Sequence, residues 1–487
     1  MIYIYWKNNK SWTTITLKRC LITHENFRTT LNFLKVGDRQ HTMNELTSHQ
    51  SLVTTPKQER HSLEGPSERH QNLPSNKKEF TTNLIGWILQ GGVILSASII
   101  FFGFLMLPLY PGGLSVHRLL SFPQTLSQVW AGLLVLHPQA IIALGLLLLI
   151  ATPVLRVAVS IVAFALERDR RFVVITALVL AILLLSNFLL GTIVGSTSHT
   201  NLQHLNFSLV VVLLIFVGSI VAGLLGSLVG LGGGVLIVPL LTLAFGLPIY
   251  FAIGASIISV IATSSGAAAA YVRDHLTNLR VGMFLELGTT TGAITGAFLA
   301  GLLAPNLLFV LFGVILLISA VPLVFKIGEE LPQGVKNDRL ANWLGLSGTY
   351  PDQRLGRQVP YQVTRTPLGT AMMYVAGIIS GLLGIGSGTF KVLALDTAMR
   401  LPMKVSTTTS NFMIGVTAAA SAGIYFSRGD VPPLVAAPVA LGVLLGAFLG
   451  TRLLTRLSNK TLRLIFIPVM AIIALEMVLR GLGIAPI

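Results

Sequence analysis

Lys391 lies three residues beyond Gly388 in the run GIGSGTFKVLAL, with apolar sequence on both sides. A charge in a bilayer interior costs about 2.5–3.5 kcal/mol on insertion scales. Its i+3 and i+4 neighbours, Ala394 and Leu395, offer no carboxylate. An anionic ligand would offset the cost; snorkelling or a partner from elsewhere in the fold is the competing reading. The glycines before Lys391 (Gly384, Gly386, Gly388) have earlier equivalents in Gly230, Gly232, Gly233 and Gly234, and both sets interrupt apolar segments. A helix restarting after such a break exposes unpaired N–H groups and roughly half a positive charge, which suits an anion. The binding site expected on these grounds comprises Gly232, Gly233, Gly234, Ser256, Gly386, Ser387, Gly388, Lys391, Ser410 and Asn411.

Other polar residues extend the pattern. KVSTTTSN, at 404–411, places six hydroxyl or amide residues in a row at the start of a span. Helix capping accounts for one or two; the rest suit a hydrated wall or hydrogen bonds to anion oxygens. Glu286, in VGMFLELGTTTG, has no local cation and is a candidate proton carrier, or else it faces an aqueous vestibule. Arg156, after Pro153, pairs with Glu286 or with lipid headgroups, and the sequence does not choose. GLGGG and GIGSG look superficially like phosphate loops, but those require a preceding strand in a βαβ unit. One cysteine, Cys20, excludes an internal disulfide and a multi-Cys metal site. No metal and no cofactor are expected.

The elements holding these residues must be membrane helices. Hydrophobic residues make up 53% of the 487 and charged ones 11%, against about 25% in a soluble domain. Positions 84–325 carry seven Lys or Arg and four Asp or Glu. A single soluble core stops growing near ~250–300 residues, so a soluble fold is excluded. The net charge of +16 comes from 12 bases in the first 83 residues and others in short loops. That distribution marks cytoplasmic retention, not a nucleic-acid face.

Along the chain, 1–83 reads as a disordered cytoplasmic tail, with Met43 as an alternative start that would make 1–42 an over-extension. Apolar spans at 84–107, 141–166 and 172–194 form a three-span domain, 84–195, of unknown function. Two further blocks, 207–325 and 367–487, flank a polar cytoplasmic linker, 326–366. They are copies: a shift of 154 lays 222–296 over 376–450 without a gap, with 21 identities in 75 positions. Gly288, Gly292 and Gly296 fall on Gly442, Gly446 and Gly450, a spacing suited to close helix packing.

Glycine-broken segments at corresponding positions in two copies point to a transporter binding site. If each re-enters and returns, every copy makes three crossings and the copies run in opposite directions. Loop charge supports this: 17 bases fall in the loops at 167–171, 273–280, 326–365, 400–404 and 452–463, and only Arg118, Arg428 and Arg480 on the other side. The expected fold is an all-α polytopic membrane protein with two inverted repeats, each with a re-entrant broken segment plus three spans, preceded by three extra transmembrane helices. Nine crossings place the N-terminus in the cytoplasm and the C-terminus outside a plasma membrane.

The motifs GLLGSLVGLGGGVLIVPLLTLAFGLP and GIISGLLGIGSGTFKVLALDTAMRLP, with STTTSNFMIG, resemble the sulfite exporter TauE/SafE family over ~207–482. The resemblance implies export of sulfite, sulfonates and related organosulfur anions, with thiosulfate uptake in some members. Positions 84–195 resemble an uncharacterised three-span prokaryotic membrane family, so the chain looks like a fusion. GSG replaces the frequent GGG in the second motif, and Leu393 stands where the first copy has Pro239.

The expected partners are a small anion of the sulfite, sulfonate or thiosulfate class and the lipid bilayer; a homo-oligomer is left open and nucleic acid is excluded. An inside-negative potential is worth about 2.3 kcal/mol per charge per 100 mV, so export of an anion needs no added coupling. An anion channel and a membrane sensor or assembly factor are the alternatives. An enzyme is not expected, since the spans hold no HExxH, GxSxG or paired histidines.

Overall fold

The computed structural model describes residues 75–109, 126–187, 209–229, 233–274, 276–325, 332, 334–352, 356–454 and 459–484. The tail through residue 74, with Met43, lies outside the described residues, and so does Gly232.

The first helices are α1 (Ser75–Met106), α2 (Leu126–Leu134), α3 (Pro138–Leu166) and α4 (Arg170–Leu185). α1 starts nine residues before its apolar span, and the short α2 was not expected from sequence. The first copy contributes α5 (Leu209–Val229), α6 (Gly234–Pro239), a π-helical turn Leu240–Ala244, α7 (Ile249–Arg273), α8 (Leu279–Leu302) and α9 (Pro305–Phe325). The second contributes α11 (Thr366–Leu383), α12 (Gly388–Leu393), a π-helical turn Ala394–Ala398, α13 (Met403–Ser427), α14 (Pro433–Leu454) and α15 (Asn459–Gly481). Among the described residues, four helices are long and apolar enough to cross a membrane: Pro138–Leu166, Ile249–Ala268, Thr366–Leu383 and Pro433–Gly450.

The distribution of side chains is that of a protein dissolved in lipid. Phe101, Leu213 and Ile472 are 61%, 60% and 69% exposed, while Ser256, Thr289, Thr409 and Ser421 are wholly buried. With hydrocarbon outside, burying apolar surface supplies little drive, and small residues that let backbones meet take over. Gly288, Gly292 and Gly296 of α8 set their α-carbons against the carbonyls of Thr370, Tyr374 and Ile378 on α11. At a shift of 154, Gly442 and Gly446 of α14 meet those of Phe216 and Ile220 on α5. The first long helix of each copy therefore packs on a helix of the other copy.

The shift of 154 recurs where the broken segments end. In the first copy the π turn closes with Leu247 N–H donating to the Leu241 carbonyl at 3.0 Å; in the second, Leu401 donates to Leu395 at 3.0 Å. Both exits pass through a left-handed residue, Gly246 at φ 64° and Arg400 at φ 54°. Arg400 accepts a backbone that costs a non-glycine residue about 1–2 kcal/mol. Pro239 does not explain the π turn, because the second copy makes one without it.

The polar linker departs from the all-α expectation. It folds into α10 (Arg339–Leu344) and a hairpin, β1 (Gly348–Asp352) antiparallel to β2 (Arg357–Tyr361). Asp338 caps α10 through Ala341 N–H and also accepts from the Thr366 backbone and hydroxyl at 2.6 and 3.0 Å, fastening the linker to α11. This layer touches several loops at one end of the bundle. Asn278 donates to Leu346 O and the Tyr361 hydroxyl, Lys404 pairs with Asp352 at 3.1 Å, and the Arg171 guanidinium donates to Trp343 O. Arg280 pairs with Asp169 at 3.1 Å. At the other end Tyr250 donates to Leu303 O and Arg428 to Ala297 O.

Candidate functional site

α12 begins after three left-handed residues, Gly384 (φ 68°), Gly386 (φ 71°) and Ser387 (φ 48°). Glycine takes such angles freely; Ser387 does so at a cost, and its buried hydroxyl has no hydrogen-bond partner among the described residues. The break turns the chain so that Lys391, in the first turn of α12, points into the bundle with no exposure.

Its ammonium donates to Thr417 Oγ1 at 2.6 Å. That hydroxyl lies 3.3 Å from Glu286 Oε2, which also accepts from Thr289 Oγ1 at 2.8 Å. Glu286 belongs to α8 in the first copy, Lys391 and Thr417 to the second. The carboxylate that sequence neighbours did not provide thus comes from the opposite copy. Neither charge is duplicated, for the shift of 154 pairs Lys391 with Ile237 and Glu286 with Ala440.

Arg156, midway along α3, is the third wholly buried charge. Its guanidinium carbon sits 4.6 Å from the centroid of the Phe412 ring. A β-carbon on Gly415 would stand 2.9 Å from its Nη2, so the glycine makes room for it. Glu286 and Lys391 are both within its electrostatic reach. None of its three nitrogens has a hydrogen-bond partner among the described residues, nor does Glu286 Oε1. The three charges sum to one positive.

The expected residues divide by what they touch. Ser256 Oγ lies 3.0 Å from Gly234 O and 2.8 Å from Gly384 O, so one hydroxyl spans both broken segments. Ser410 Oγ donates to Gly388 O at 3.2 Å, the same bond as Ser256 to Gly234 moved by 154. These hydroxyls are engaged by backbone. Gly233 abuts Val443, and Gly234 abuts Val260 and Ser256. Gly386, Gly388 and Asn411 are buried, Gly386 against Val260 and Ile414. The sequence reading missed Thr417, Thr289 and Phe412, although Thr417 does match Thr263 at the 154 shift. It also missed the ion pair Arg428–Asp430 at 2.9 Å, both members of which are buried.

The three charged side chains are wholly buried. A cavity of about 240 Å³ lies in the loop layer, lined by residues such as Pro332, Tyr361 and Arg400, and none of the three charges borders it.

Comparison with known proteins adds the family. The model for "Sulfite exporter TauE/SafE" matches residues 214–477, and that for "Protein of unknown function (DUF1634)" matches 85–188. "Probable membrane transporter protein YunE" of Bacillus subtilis (strain 168) is 28% identical over 278 residues, 56% of this chain and 98% of that protein. "Probable membrane transporter protein YdhB" of the same organism is 27% identical over 235 residues, 48% of this chain and 85% of that protein. No solved structure matches the chain. With more than half of its length matched, and with apolar helices enclosing a buried charged centre, the chain belongs to the sulfite exporter TauE/SafE family of membrane transporters.

Proposed function

We propose that the protein is a secondary transporter that exports small anions, sulfite or organosulfonates, by alternating access between two inverted copies. The observation that carries this is the Lys391–Thr417–Glu286 chain: a wholly buried cation beside a helix break, linked through Thr417 to a buried carboxylate of the opposite copy. A closed charged centre suits a carrier that opens to one side at a time better than a continuous pore. In this reading Lys391, Ser387 and the exposed N–H groups of the break receive the anion, and Glu286 carries a coupling proton. Gly232, Gly233, Gly234, Gly386, Gly388, Ser256 and Ser410 shape the breaks, and Asn411 lines the approach.

The contacts among the loops at 167–171, 276–280, 334–363 and 400–404 support one common side for them, with Arg428 and Arg480 on the other. With the positive-inside rule this gives a cytoplasmic N-terminus and an outer C-terminus in the plasma membrane. The domain limits 84–195, 207–325 and 367–487 belong to the same proposal. Purified protein in liposomes, loaded with sulfite, sulfate, thiosulfate or a small sulfonate, tests it. Saturable counter-flow that Lys391→Ala abolishes is the expected result; conduction without trans-acceleration would make the protein a channel. Absence of any exchange would remove the sulfur-anion assignment.

A further inference from the structure

The segment that matches the family of unknown function reaches into the transporter's charged centre. α3 packs against α1, α7 and α13 as well as its neighbour α4. Past α4, Ser186 donates to Ala420 O and Asn187 to Ala419 O, both within one turn of Thr417 on α13. The segment is thus fixed to the helix that holds the Lys391 partner, and Arg156 is the charge it places there.

The count of charges and donors gives that residue a task. Lys391 and Glu286 balance each other across Thr417, so Arg156 carries the surplus positive charge. A guanidinium has five N–H donors in a planar fork that matches two oxygens of an oxyanion. The Phe412 ring lies against this fork and Gly415 clears space beside it. A buried fork with its nitrogens unbonded among the described residues is a donor set awaiting an acceptor. The YunE protein aligns along 98% of its length with 278 residues, too few to span both matched segments, 85–188 and 214–477.

We infer that the N-terminal segment, α1 to α4, is a substrate-site component, supplying Arg156 as the bidentate donor that makes the centre selective for oxyanions bearing one negative charge. A hydrogensulfite or an alkylsulfonate presents two or three oxygens and one charge, as the surplus requires. A lipid phosphate diester offers the same chemistry. The inference rests on the transporter reading for the choice of sulfur anions, and binding is measured separately from transport so that the two can fail separately.

Full-length protein purified in detergent is titrated with sulfite, methanesulfonate, sulfate and chloride, and separately with phosphatidylglycerol, with thermal unfolding as the readout. Sulfite and methanesulfonate should stabilise the wild type. Arg156→Gln should weaken that apparent affinity about tenfold or more, the worth of a charged hydrogen bond, while unfolding no earlier than wild type without ligand. Arg156→Lys should recover part of the affinity, and it serves as the test if the glutamine variant fails to fold. Equal affinities in all three proteins would overturn the inference. So would stabilisation by phosphatidylglycerol alone, or by no anion at all. Arg156-dependent binding without counter-flow in liposomes would leave the inference standing and remove the transporter reading.

Discussion

Removing Glu286 should harm the protein more than removing Lys391, and the double variant should be milder than the sum. Wild type holds two buried cations and one carboxylate, a surplus of one charge. Glu286→Gln leaves Lys391 and Arg156 without a counter-charge. Breaking a buried pair in this way costs about 3–5 kcal/mol. Lys391→Met leaves Glu286 with Arg156 nearby and Thr289 and Thr417 still at its Oε2. Its cost is the lost hydrogen bond and one poorly satisfied oxygen, about 1–3 kcal/mol. The double variant restores the original surplus. Its coupling energy should be about 2 kcal/mol, within the range for residues in one network. Reversible unfolding in mixed dodecyl sulfate micelles measures all four proteins. A double variant whose loss equals the sum of the singles within about 0.5 kcal/mol would refute the pairing, whatever the transport activities.

Four further outcomes follow from the same geometry. Thr417→Val removes the bridge between ammonium and carboxylate, and counter-flow should fall at least about tenfold, as expected for losing a charged hydrogen bond, with expression retained. A β-carbon at Gly292 would lie 2.2 Å from Tyr374 O and at Gly446 2.1 Å from Ile220 O, so Gly292→Ala and Gly446→Ala should each cost about 1–3 kcal/mol in micelle unfolding; Gly266, with nothing within 4 Å, should tolerate alanine. Arg280→Ala removes partly exposed ion pairs with Glu167 and Asp169 and should cost under about 1 kcal/mol, a loss that added salt erases. Burial pushes the Tyr361 phenol up to about 12 although Asn278 donates to its oxygen. The folded state therefore favours the protonated phenol, and stability present below pH 10 drains away as pH rises toward 12; Tyr361→Phe should flatten thermal unfolding across that window.

Charged residues in apolar runs are conspicuous, so Lys391, Glu286 and Arg156 could be read from the sequence as exceptions that demand a reason. Their meeting could not, because 105 positions separate Glu286 from Lys391 and 130 separate it from Arg156. Thr417 was hidden for a different reason: one threonine among apolar residues is ordinarily satisfied by its own helix, and it does also bond Met413 O at 2.9 Å. The shift of 154 was legible as identities and reappears as matched bonds, Ser256 with Gly234 and Ser410 with Gly388. Ser256 and Ser410 themselves were read as anion ligands, whereas their hydroxyls meet backbone carbonyls exposed by the breaks. The hairpin at Gly348–Tyr361 escaped notice because Pro351 and Pro360 lie within its strands, and proline ordinarily demotes such a run.

The exchange of helices between copies bears on how chimaeras should be cut. α5 is seated on α14, and α11 on α8, backbone against backbone along glycine rows. Surfaces of that kind tolerate neither an added methyl nor a slide of half a turn, so each pair acts as one solid piece. Every such piece is a hybrid, half from the first copy and half from the second. The segments related by the shift of 154 are consequently not the units that interlock, and grafting one of those segments whole from a relative would sever both pieces. A graft that carries α5 together with α14, or α8 together with α11, keeps each interlock intact.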